Sequence, residues 1–76
     1  MRLSSANVNI NFKVVRIDEA CSEEVINSFF ALGLFPGVRV TVLHKRKFLM
    51  QVRLGTTLCS IRNSDAIFIE VTADDI

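Results

Sequence analysis

Leu32-Gly33-Leu34-Phe35-Pro36-Gly37-Val38-Arg39-Val40-Thr41-Val42 marks a change of period along the chain. On its N-terminal side apolar residues recur at helical spacing: Cys21, Val25, Phe29 and Leu32 share one stripe, with Ile26 beside it. Asp18 and Ser22 both suit a helix N-cap, and Glu19, Glu23 and Glu24 suit the positive end of the helix dipole. The spacing predicts a helix over residues 19–32, with Glu23, Glu24 and Asn27 on its polar side and Phe30 at the margin. Gly33 supplies a C-terminal stop, and Pro36-Gly37 a turn. Beyond that turn Val38, Val40 and Val42 alternate with Arg39, Thr41 and Leu43, the two-residue period of a strand.

Working outward, the same period governs the rest of the chain. Upstream, Val8, Ile10, Phe12 and Val14 alternate with Asn9, Asn11 and Lys13, while Val15 and Ile17 take the other phase. A bulge near Val14-Val15 reconciles the two. Residues 1–7 are polar and are expected to fray. Downstream, Lys45-Arg46-Lys47 reads as a hairpin tip, although it lacks the Gly or Asn of a tight turn. Phe48, Met50, Val52 and Leu54 form the next inward row, with Leu49, Gln51 and Arg53 outward. Gly55 turns the chain, and Thr57, Cys59 and Ile61 continue one face. Asn63-Ser64-Asp65 is turn chemistry, and Ile67, Ile69 and Val71 supply the last inward row against Phe68 and Glu70. Residues 72–76 are acidic and expected to be exposed. The order is strand, helix, then four short strands. The fold class is therefore mainly β with one inserted helix, a small SH3-like β-barrel with its core over about residues 8–72.

Composition limits what such a module does. The 76 residues carry nine Lys+Arg against eight Asp+Glu, a net charge of +1, and half of them are hydrophobic, so one packed domain is expected and disorder is not. A general nucleic-acid binder usually shows a clear basic excess, which is absent here. The longest apolar run, residues 29–35, is far below the roughly 20 residues of a spanning helix, and the N-terminal residues do not resemble a secretory signal. Two widely spaced cysteines, Cys21 and Cys59, read as buried free thiols in a reducing cytosol.

Several motifs in order resemble a known family. The segment Ala31-Leu32-Gly33-Leu34-Phe35-Pro36-Gly37-Val38-Arg39-Val40-Thr41-Val42 resembles the L-G-x-x-P-G-x-x-V-x-V signature of FeoA, the ferrous iron transport protein A family. Ile61-Arg62-Asn63-Ser64-Asp65-Ala66 is similar to its L-R-x-x-x-A turn, Ile69-Glu70-Val71 to its closing strand, and Lys13-Val14-Val15-Arg16-Ile17 to its opening one. The likeness spans residues 3–71. Where the family often carries a Leu-Gly-Asp-Pro-like stretch in the central hairpin, residues 44–48 are shorter and basic. The resemblance implies a small cytoplasmic accessory protein of bacterial ferrous iron uptake. Its implied partner is FeoB, the permease with a cytosolic GTPase domain, which would place the protein at the inner membrane through that partner.

The candidate residues fit binding better than catalysis. There is one histidine, no Gly-rich phosphate loop and no nucleophile elbow, so no enzyme constellation is expected. His44 stands beside Lys45 and Arg46, whose charge opposes a cation, and both cysteines fall on core faces, so neither a metal site nor a cofactor is expected. The basic hairpin is the most distinctive feature: Lys45, Arg46 and Lys47, joined by Arg53, make a positive lobe. Leu43, Leu49 and Phe68 fall in outward phases, with Phe30 and Phe35 at margins, a set that suits an interface or self-association into a homo-oligomer. The expected contact residues are Lys45, Arg46, Lys47 and Phe48 on the hairpin, with Leu49 and Phe68 outside the barrel. The alternative is a small-barrel RNA-binding protein. Against it stand the near-neutral charge and the absence of Tyr and Trp for base stacking, so no nucleic-acid partner is expected.

Overall fold

A computed structural model describes residues 1–74; Asp75 and Ile76, part of the expected acidic tail, lie outside the described residues. A short 3-10 turn, Leu3–Ser5, precedes strand β1 (Asn11–Ile17) and helix α1 (Glu23–Leu32). Strands β2 (Arg39–Lys45), β3 (Leu49–Leu54) and β4 (Thr57–Arg62) follow as a meander. A one-turn helix, α2 (Asn63–Ala66), leads into β5 (Ile69–Ala73). All strand pairs are antiparallel, in the order β4-β3-β2-β1-β5. The sheet is not closed: β4 and β5 are its two edges and do not pair with each other among the described residues, so the expected complete barrel is not formed.

The change of period at residues 32–38 is realised as expected. Ser22 caps α1, its Oγ accepting from the Val25 N–H at 3.3 Å, an arrangement worth about 1 kcal/mol. The helix is four residues shorter than the spacing predicts because Asp18 caps the preceding turn instead, Oδ1 accepting from the Ala20 N–H at 2.9 Å. Cys21 is buried ahead of the helix, whereas Leu32 at its last turn is exposed. Phe29 is the buried anchor of α1, with Val25 and Ile26 packed beside the core. Gly33 ends the helix at φ +88°, where a side chain would cost about 1–2 kcal/mol, and Leu34 then plunges fully into the core. Gly37, also left-handed at φ +96°, donates its N–H to the Val14 carbonyl at 2.8 Å and so ties the turn to β1.

The bulge expected near Val14-Val15 is present, as a register shift in the β1–β5 ladder between Val14 and Arg16. Val15 is the extra residue and points to solvent. The bend lets the first half of β1 pair with β2 and most of its length pair with β5.

Four expectations about facing are corrected. The alternation beginning at Val8 is not a strand, because Asn9 sits at φ +60° and breaks the extended backbone; Val8 and Ile10 are consequently exposed. The N-terminal residues are not frayed. Leu3 and Ala6 are fully buried, Arg2 bridges to Glu70, and the Val71 N–H donates to the Met1 carbonyl at 2.8 Å. Asn63-Ser64-Asp65 forms the expected turn, as one turn of helix, and that helix carries Ile67, read as inward, outward as its C-cap and turns Phe68, read as outward, onto the core. Phe48 belongs to the hairpin tip and not to the inward row of β3, so it is 74% exposed.

Candidate functional site

The tip between β2 and β3 is the candidate site, and it is ordered from outside. The Arg46 N–H donates to the Leu49 carbonyl at 2.8 Å, closing the turn without a glycine. Asn63, the first residue of α2, reaches across: its Nδ2 donates to the carbonyls of Arg46 and Lys47 at 3.0 and 3.1 Å, and its backbone N–H donates to the Phe48 carbonyl at 2.9 Å. One residue, through its side-chain and backbone amides, thus satisfies three successive carbonyls that a tight turn would leave to water. The Asn63 Oδ1 is buried without a partner, so the clamp is made at some cost to its own acceptor.

With the backbone held, the side chains face solvent. Lys45 Nζ donates to the Ser4 carbonyl at 3.4 Å, while Arg46 and Lys47 have no ion pair among the described residues. Lys47 Nζ lies 5.3 Å from the centre of the Phe48 ring, a cation–π contact worth about 0.5–1 kcal/mol at an exposed site. Leu49 follows on β3, opposite Arg62, and is 37% exposed. Residues 45–49 therefore form one continuous cationic and apolar surface. Phe68 is not part of it: it is half-buried against the core and offers only its exposed edge. Arg53 does not join the lobe either. It lies at the far end of β3, opposite Thr41 and Leu58.

Sequence reasoning missed Leu58, which is 69% exposed on edge strand β4. Alternation with Thr57, Cys59 and Ile61 already placed it outward. Leu58 borders a groove of about 180 Å³ with Leu43, Val52 and Cys59, smaller than the usual range of about 300–1,000 Å³ for a ligand pocket. Cys59 and Cys21 are free thiols whose pKa values burial pushes up, Cys21 further opposed by the nearby Asp65 and Asp18 charges. They are held as neutral thiols, the form that is a poor nucleophile. No group of three or more His, Cys, Asp or Glu is placed to hold a metal among the described residues, and no helix there is long and apolar enough to cross a membrane.

Five antiparallel strands with a helix inserted after the first define a small β module of the SH3-like kind. The chain belongs to the FeoA domain family, whose model matches residues 1–73, and that family is associated with ferrous iron transport. The FeoA protein of Chlorobium tepidum is similar in fold, with a TM-score of 0.86 at 24% identity over 96% of this chain and 70% of that one. A Stenotrophomonas maltophilia FeoA, solved with zinc and described as a prokaryotic SH3 domain protein, gives a TM-score of 0.80 at 21% identity, covering 95% of this chain and 89% of that one. A manganese-dependent transcriptional repressor contains a similar domain, with a TM-score of 0.89 at 20% identity; 96% of this chain matches only 36% of the repressor. No curated protein matches the chain.

Proposed function

We propose that the chain is a cytoplasmic accessory protein of ferrous iron uptake that binds the cytosolic part of a FeoB-like permease and adjusts its GTPase-coupled transport. Family membership favours this reading over the RNA-binding alternative. The observation that carries the site is the pre-ordered tip: Asn63 fixes the backbone of residues 46–48 while Phe48 stands 74% exposed beside Lys47. A binding loop already held in one conformation loses less entropy on docking. Lys45, Arg46 and Lys47 steer an acidic partner surface, Phe48 and Leu49 supply the apolar contact, and the exposed edge of Phe68 is the outlying member of the set. The output is a bound partner, with no catalytic step of its own, and the membrane is reached through that partner.

The test is an amide NMR titration of the chain with the soluble GTPase domain of its cognate permease, in nucleotide-free, GDP-bound and GTP-analogue states. Shifts clustered at residues 45–49 and 63 are expected. Shifts elsewhere would keep the partner and discard the site. No shift in any state would remove the GTPase domain as the partner.

A further inference from the structure

A second cationic surface lies on the outer face of the sheet, away from the tip. Lys13 on β1 is directly opposite Arg39 on β2. Directly opposed residues place their Cβ atoms about 5 Å apart, and like charges so placed repel. Arg53 on β3 faces Thr41, two residues along β2 from Arg39, which puts it on the diagonal at about 7–8 Å. Thr41 between them is covered, its Oγ1 donating to Asn11 Oδ1 at 2.7 Å, so the row Asn11–Thr41–Arg53 forms a continuous polar ledge. Three cations thus share one face of three adjacent strands.

Among the described residues one carboxylate answers them. Asp74, just past β5, is positioned by its N–H donating to the Asn11 carbonyl at 3.1 Å. Arg39 Nε donates to its Oδ2 at 2.7 Å. The Asp74 side chain is only 15% exposed there, whereas that of Arg39 is 46% exposed. Lys13 and Arg53 have no ion pair among the described residues. Beside these cations lies a shallow, open cleft lined by Lys13, Gly37, Arg39, Gly55, Thr56 and Asp74, with Arg53 outside its lining. Its two glycines leave open space where side chains would stand.

We propose that Lys13, Arg39 and Arg53 form a docking face for a carboxylate-rich segment of a partner protein, and that Asp74 is an internal stand-in for one of that segment's carboxylates. Asp74 demonstrates the fit, because a carboxylate on Arg39 is what the chain itself places there. Lys13 and Arg53 then take the flanking acidic side chains, which relieves the repulsion across the β1–β2 pair. No aromatic ring lines the cleft, so it offers no stacking platform for nucleotide bases. The face is separate from the tip and does not depend on the permease reading.

The experiment is an amide NMR titration of the full chain with capped hexaglutamate, with capped hexaglutamine, inorganic phosphate and a U-rich RNA oligonucleotide as comparisons. Hexaglutamate should shift residues 13, 39, 53, 56 and 74, and its binding should weaken with salt. Arg39→Gln should lower its affinity about tenfold, since a charge-assisted pair is lost. Asp74→Asn should raise it about threefold or more, because the internal competitor is gone. Lys13→Gln leaves the Arg39–Asp74 pair in place and should also weaken binding. Equal binding of hexaglutamine, tighter binding of phosphate or RNA than of hexaglutamate, or an affinity unchanged or lowered by Asp74→Asn would each overturn the proposal.

Discussion

The N-terminal segment and the β2–β3 tip look alike in composition and are opposite in structure. Both are short stretches in which polar residues outnumber a few apolar ones. The N-terminal segment is sewn into the domain: Leu3 and Ala6 are fully buried, Arg2 pairs with Asp18 at 2.8 Å, and Met1 and Arg2 join the β5 edge. The tip is held just as firmly along its backbone, by Asn63, but buries none of its side chains. One region buries apolar side chains in the core; the other leaves all of its side chains exposed. Polar composition does not distinguish the two. What separates them is where the few apolar groups go.

The contrast can be broken most sharply at Leu3. Leu3→Ala should cost about 2–5 kcal/mol, a large share of what a domain this size has, and thermal unfolding would read it directly. A change within experimental error would mean that the N-terminal segment is an appendage after all. Asn63→Ala comes next, at about 1 kcal/mol, because two side-chain hydrogen bonds disappear along with an unpartnered buried oxygen. Its more telling readout is local: amide protection and order at residues 46–48 should fall while the rest of the sheet is unaffected.

Acid probes the N-terminal clasp by another route. The Ala20 N–H, and then Arg2, hold the Asp18 carboxyl below its ordinary value near 3.8. A lowered folded-state pKa means the stabilisation is complete above that ordinary value and is lost as pH falls through the folded one. Denaturation between pH 5 and 2 should therefore show an arm that Asp18→Asn flattens, measured by urea midpoints across that range. The smallest stability effect belongs to the tip. Phe48→Ala should leave unfolding within about 0.5 kcal/mol of the parent, as exposed positions do, while abolishing the permease-domain shifts. A strongly destabilised Phe48→Ala would place that ring in the core and end the comparison.

Facing errors in the sequence reading have one common origin. Alternation assigns faces only while the backbone stays extended. Asn9 in a left-handed conformation ended it ahead of β1, the tip ended it at Phe48, and the turn of α2 shifted it by one between Ile67 and Phe68. Along β3 and β5 it held, with Met50, Val52, Leu54, Ile69 and Val71 inward, whereas on β2 Thr41, read as outward, is buried and the register shifts between Val42 and His44. The cationic residues of the tip were legible because charge clusters locally. The second cationic face was not, since Lys13, Arg39 and Arg53 are brought together only by strand pairing.

The chain's local sequence determined the helix cap at Ser22, the left-handed stop at Gly33, the turn at Pro36-Gly37, the bulge at Val15 and the run of short strands. Those features depend on residues within a few positions of one another, where side-chain and dihedral preferences act directly. Tertiary structure alone decided that the sheet stays open, that Leu3 is core, that Asn63 holds the tip and that Asp74 lies on Arg39. Each of these joins segments distant in sequence. Their free energy comes from burial and hydrogen bonds formed on packing, and no local preference encodes it.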